Sequence, residues 1–185
     1  MDNLDESLQF LSHELVGCGI LPFMQGDYAI FGSASLVMRG ILDRMPGDID
    51  VHFSRKLWGA MLNRPRWFVE TPTAGDPPIL SNITSSIPIH AFFDWSDRHV
   101  AMDVPDLIER AEQIEAFGRH YQVIPVKDAL AHKKGALAYG TAYVQKHVPD
   151  IAVIEGWLEE LNLEAKLKRN YATWGHSLTE VDNVL

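Results

Sequence analysis

Cysteine is nearly absent from this chain, with Cys18 alone among 185 residues. A single thiol excludes an internal disulfide framework and any cysteine-built zinc site. Long apolar runs are missing too, and none approaches the roughly 18 residues that cross a bilayer. The opening residues MDNLDESLQF are acidic and carry neither the basic nor the apolar segment of a secretory leader, so the expected compartment is cytoplasmic, with no membrane partner. Basic charge is scarce, with 16 Lys and Arg against 25 Asp and Glu, a net charge of −9. That balance argues against a general affinity for nucleic acid, which depends on neutralising phosphates, without excluding a local basic patch. The most basic part is the last third, from Lys127 through Lys146 to Lys166, Lys168 and Arg169, and it reads first as solvated helix faces. Nothing in the sequence encodes an oligomeric state.

What is present suffices for one domain with a small appendage. Five Trp and eight Phe point to a well-packed interior. Leu4, Leu8, Leu11 and Leu15 recur at helical spacing and predict an amphipathic helix over Leu4–Val16. Tyr28–Phe31 reads as a buried strand, Ala34–Leu42 as a helix, and Asp48–Phe53 as the next strand after the Pro46-Gly47 turn. Ser54 is a candidate N-cap for a helix from Arg55 to Leu62. Trp67–Glu70 reads as a strand, Thr71–Pro78 as a loop, and Ile83–Phe93 as one long strand. Asp106–Phe117 reads as a helix, Tyr121–Ile124 as a short strand, and Asp128–Tyr143 and Asp150–Leu167 as helices. The expected class is α+β: a mixed sheet flanked by helices over residues 1–125, followed by a helical extension over residues 126–185. Trp58, Trp67 and Trp95 are candidates for a stacking rim, although core packing is the first reading of those rings.

The segment YAIFGSASLVMRGILDRMPGDIDVHF, Tyr28 to Phe53, carries the chemistry. Asp48 and Asp50 are two apart, which on a strand places both carboxylates on one face about 6.6 Å apart along its axis. Two hard oxygen ligands aimed the same way suit a divalent cation. Gly32-Ser33 ahead of a helix offers backbone N–H groups where phosphates bind readily. Metal with phosphate points to phosphoryl or nucleotidyl transfer, in which two ions about 3.5–4 Å apart can serve both ends of the displacement. Each feature alone is common in surface strands and turns. The ordered combination is more specific.

In that combination the segment resembles the nucleotidyltransferase superfamily with the DNA polymerase beta-like core. It is most similar to the bacterial subset of AbiEii-type toxins and lincosamide-type antibiotic nucleotidyltransferases, with Arg44, Asp48 and Asp50 at the same mutual spacing. Pro46 stands where that subset usually has Thr. The resemblance implies Mg²⁺ or Mn²⁺ on Asp48 and Asp50, a nucleoside triphosphate as co-substrate, Gly32, Ser33 and Arg44 at the nucleotide, and Lys133 or Lys134 from DALAHKKGALAYG facing the triphosphate. KHVPDI offers Lys146 and Asp150 for a further family segment, with His147 where an Asp usually stands. The implied activity is transfer of a nucleoside monophosphate to a hydroxyl of an unidentified acceptor, whether small molecule, protein or RNA.

The pattern breaks at the neighbouring strand, where the family places a third carboxylate. In SIPIHAFFDW that Asp would fall on Pro88, which cannot bind metal. Asp94 shares the face but lies four residues beyond His90, about 13 Å away. His90 is then the best-placed polar group and a candidate general base, since imidazole titrates near neutrality. The alternative for His90, and for His52 on the same face, is a packed histidine of the core. A catalytically weakened relative that binds nucleotide or a partner protein as a regulator, and an incidental DxD on an unrelated domain, are the competing readings.

Overall fold

The computed structural model describes residues 3–20, 25–70, 78–93, 104–116, 118–137 and 141–178. The elements run α1 (Asn3–Gly17), β1 (Tyr28–Phe31), α2 (Gly32–Met38), β2 (Ile49–Phe53), α3 (Arg55–Met61), β3 (Trp67–Glu70), β4 (Ile79–Asn82), β5 (Ile89–Phe92), α4 (Val104–Glu109), β6 (Glu112–Ala116), β7 (Arg119–Val123), α5 (Val126–Ala136) and α6 (Thr141–Leu178). The strands form one sheet in the order β3-β4-β5-β2-β1-β7-β6. β1 pairs antiparallel with β2, while β2 with β5 and β1 with β7 are parallel. The class is the mixed sheet with flanking helices that the sequence predicts.

Registers divide the sheet into two faces. Ile30, Val51, Ala91 and Leu80 align across β1, β2, β5 and β4 and are fully buried. This face packs on α1, whose Leu11 and Leu15 are fully buried, and Tyr121 on β7 donates a 2.5 Å hydrogen bond to Ser12. Trp67 closes the same face through its indole N–H to the Cys18 carbonyl, 3.4 Å away. The opposite row runs Phe31, Asp50, His90, Ser81 and Phe68, so the polar chemistry lies on one side of the central strands.

Several predicted boundaries shift. α2 begins at Gly32 and stops at Met38, short of Leu42, because Gly40 takes φ +68°. Gly40 N–H then reaches the Val37 carbonyl and Ile41 N–H the Leu36 carbonyl, both at 2.9 Å, the paired bonds of a Schellman stop. Ser54 caps α3 as expected, accepting the Leu57 N–H at 3.2 Å. Within the strand expected over Ile83–Phe93 only Ile89–Phe92 is extended, as β5; it follows a turn, and a further strand, β4, precedes the expected range at Ile79–Asn82. Asn82 Oδ1 accepts from both the N–H and the hydroxyl of Thr84, which folds the chain back after β4.

The helix expected over Asp106–Phe117 ends at Glu109, and Glu112–Ala116 pairs antiparallel with β7. Its Glu and Gln favour a helix, but its Ile114 and Ala116 alternate with exposed residues, and cross-strand pairing decides. The break expected between Tyr143 and Asp150 is also absent: α6 runs through Pro149. Trp58 and Trp67 are buried core rings, packed on Phe93 and Phe53 respectively. Trp95, Asp94 and most of the Thr71–Pro78 loop lie outside the described residues. No helix among the described residues is long and apolar enough to cross a membrane.

Candidate active site

β2 positions the paired carboxylates. Asp50 lies within the strand, Asp48 immediately before it, and both are half-buried. Parallel pairing sets His90 of β5 directly beside Asp50, with Nδ1 3.6 Å from Oδ1. That separation is a charge contact rather than a hydrogen bond. One ligand atom from each of Asp48, Asp50 and His90 lies within 4.8 Å of the other two, which suits a metal ion. The Asp50 carboxylate raises the His90 pKa above its usual value, burial opposes this, and Asp48 and Glu70 add to the rise.

Gly32 fixes how Asp50 sits. It opens α2 with φ +68°, a conformation that costs a side chain roughly 1–2 kcal/mol. A Cβ there would stand 2.8 Å from Asp50 Oδ2, so the bare backbone is what admits the carboxylate.

The next residue belongs to a second cluster. The Ser33 hydroxyl receives Lys133 Nζ at 3.2 Å and Arg44 Nη2 at 3.3 Å, and lies 3.4 Å from Asp150 Oδ2 as donor. Asp150 of α6 binds Lys133 Nζ at 2.7 Å and accepts from Arg44 Nη2 through both oxygens, at 2.8 and 2.9 Å. Lys133 is 1% exposed. Burial pushes its pKa down, Asp150 opposes that, and the neighbouring Arg44 and Lys146 add to the lowering. Burial alone would raise the Asp150 carboxyl, but the bonds from Lys133 and Arg44 prevail and hold it below the usual carboxylate range. Lys146 links the clusters, with Nζ 3.8 Å from Asp48 Oδ2.

The sequence left Lys133 and Lys134 as equal candidates. α5 turns Lys133 inward and Lys134 outward, where Lys134 pairs with Glu155 at 2.6 Å. His52 shares the DxD parity but is a core ring, 3% exposed and stacked on Phe31 with centroids 4.0 Å apart. Burial drives its pKa down to about 3, with help from His132. Pro88 contributes only backbone, its carbonyl accepting the Ile49 N–H at 2.9 Å. Asp150 was seen in the sequence only as part of a family-like segment, and its buried pairing with Lys133 had no local signal. A carboxylate on α6 gains meaning only once α5 lies against it.

No family model matches the chain, and no curated protein matches it in sequence. What matches is the fold. It is similar to the solution structure of the antibiotic-resistance factor ANT(2'')-Ia, with a TM-score of 0.51 and 15% identity over 97% of this chain and 100% of that one. A structure of ANT(2'')-Ia in complex with adenylyl-2''-tobramycin matches at 0.47 and 15% identity, covering 87% and 97% of the two chains. A Thermotoga maritima protein described as a candidate nucleotidyltransferase matches at 0.48 and 15%, covering 82% and 94%.

Proposed function

We propose that this protein is a metal-dependent nucleotidyltransferase that moves a nucleoside monophosphate from a nucleoside triphosphate to an acceptor hydroxyl. The observation that carries this reading is the meeting of two clusters at consecutive residues: Gly32 against Asp50, and Ser33 against Lys133 and Arg44. A carboxylate-imidazole donor set thus adjoins a pair of cations, the arrangement a metal-triphosphate substrate needs.

In this reading Asp48 and Asp50 hold Mg²⁺ or Mn²⁺. The ion, when bound, neutralises the polyphosphate and polarises the reacting phosphoryl group. Gly32 and Ser33 approach the phosphates closely, and Lys133 and Arg44 balance the charge that grows on the departing pyrophosphate. A bond forms between the acceptor oxygen and the α-phosphorus while the bond from the α-phosphorus to the bridging oxygen breaks; pyrophosphate leaves with the electron pair and the acceptor's hydroxyl proton passes to solvent. His90 takes the place of the third carboxylate in completing the cluster. The acidic composition favours an acceptor other than nucleic acid.

The test is incubation with each of the four α-labelled nucleoside triphosphates, Mg²⁺ or Mn²⁺, and a panel of small-molecule, protein and RNA acceptors, beside Asp48→Asn/Asp50→Asn. Label transfer that the double variant lacks supports the reading. Metal-dependent nucleotide binding without any transfer across the panel would overturn it in favour of a nucleotide-binding regulator. That second reading is supported by Asp150, which already neutralises both cations, and by the lack of a third carboxylate in the cluster among the described residues.

A further inference from the structure

We infer that His90 is itself a metal ligand, and that its nitrogen makes the site prefer a transition-series divalent cation such as Mn²⁺ over Mg²⁺. This rests on the metal-dependent reading above and deepens it by naming the kind of ion.

Geometry supports the ligand role. Asp50 and His90 are partners in the parallel pairing of β2 with β5, so their side chains leave the sheet on the same face. Donors about 2.0–2.2 Å from a shared ion stand at most about 4.4 Å apart. The three donors here already lie within 4.8 Å of one another, so side-chain rotation about their fixed backbone positions can bring them onto one ion. Asp50 is held for this by the bare Gly32 backbone beneath it. Lys146 lies 3.8 Å from Asp48 on an exposed stem and can swing away as the ion enters.

The donor types support the selectivity. Mg²⁺ demands oxygen ligands in near-ideal octahedral geometry and keeps several waters. Imidazole nitrogen favours the transition series, whose affinity for such a donor rises from Mn²⁺ towards Cu²⁺. Two carboxylates and one imidazole leave coordination positions open for triphosphate oxygens. A nitrogen whose lone pair is given to the cation is not available to take the acceptor's proton, so His90 is a ligand here and not the general base.

The test uses the whole protein without nucleotide. Mn²⁺ is titrated by electron paramagnetic resonance, Mg²⁺ is added as competitor, and pulsed measurements report whether a ¹⁴N nucleus couples to bound Mn²⁺. The wild type is expected to show that coupling. His90→Ala is expected to lose it together with about 10- to 100-fold in Mn²⁺ affinity, the range for groups that shape a metal site. His90→Asp restores an all-oxygen set, so it is expected to keep metal binding and lower the Mn²⁺/Mg²⁺ affinity ratio by about tenfold or more. Bound Mn²⁺ without nitrogen coupling, or an unchanged ratio in His90→Asp, would overturn the inference. Nucleotidyl transfer assayed in parallel separates the two claims. Transfer without nitrogen coordination sinks this inference alone, nitrogen coordination without transfer sinks the functional reading alone, and no metal binding sinks both.

Discussion

Lys133 on α5 and Asp150 on α6 form a buried ion pair, Nζ to Oδ2 2.7 Å, with the ammonium 1% exposed. Two charges taken out of water cost several kcal/mol each in solvation, so a pair of this kind survives only where its other bonds are made. Ser33 and Arg44 complete them. The pair therefore ties the C-terminal helix to the start of α2, and it does so at the residues that the proposed function places against the triphosphate.

Breaking the pair from one side leaves a buried charge unmatched. Asp150→Asn is expected to destabilise the fold by about 3–5 kcal/mol, measured by urea unfolding. Lys133→Met, which removes the buried ammonium and leaves Arg44 to hold Asp150, is expected to cost less. A double variant that recovers none of the loss would show that the two residues do not act as a pair.

Acid stability reads out the same carboxyl. Asp150 is held below its unfolded pKa, near 4, so its contribution is complete above about pH 4 and disappears as pH falls towards the folded value. Thermal melting of the wild type is expected to hold to about pH 4 and then decline, with a shallower decline in Asp150→Asn. Parallel curves for the two proteins would count against the assignment.

Adjacent lysines are expected to behave differently in nucleotide binding. Lys133→Met is expected to weaken triphosphate affinity by roughly 10- to 100-fold, the scale of a charge-assisted hydrogen bond lost in a buried site. Lys134→Met removes only an exposed pair with Glu155 and is expected to leave affinity and stability within about 0.5 kcal/mol of the wild type. Equal effects in the two variants would refute the placement of Lys133 at the phosphates.

Gly32→Ala separates backbone cost from site cost. Its φ of +68° predicts a stability loss of about 1–2 kcal/mol, and its Cβ would displace the Asp50 carboxylate. Gly118 has φ +66° but open space around it, so Gly118→Ala carries the backbone cost alone. Calorimetric Mn²⁺ binding is expected to fall about tenfold or more in Gly32→Ala and to stay unchanged in Gly118→Ala. A similar effect on both would place the cause in global stability instead.

The paired carboxylates carry the expectation of metal dependence. Removing divalent ions with a chelator, or replacing Asp48 and Asp50 by Asn, is expected to lower nucleotidyl transfer by about 1,000-fold or more, since the ion supplies several kcal/mol of charge stabilisation. Far-ultraviolet circular dichroism of the variant should match the wild type, because both side chains are half-buried and line the site rather than the core.

Local chemistry made much of this molecule legible in advance. Tyr28–Phe31, the Ser54 cap, the paired Asp48 and Asp50, and Leu11 and Leu15 on α1 are written in short-range pattern, because alternation, capping and helical spacing act between near neighbours in the chain. β6 and β4 escaped that reading, and β5 entered it only as part of a longer strand, since their strand character and bounds come from partners several residues away or more. The same limit held at the site. The sequence by itself named the donor types and left Lys133 level with Lys134. Only the tertiary structure chose between them and aligned His90 with Asp50 across two strands. It also brought Asp150 to Lys133, because proximity between segments far apart in sequence is set by how helices and strands pack and not by the residues at either end.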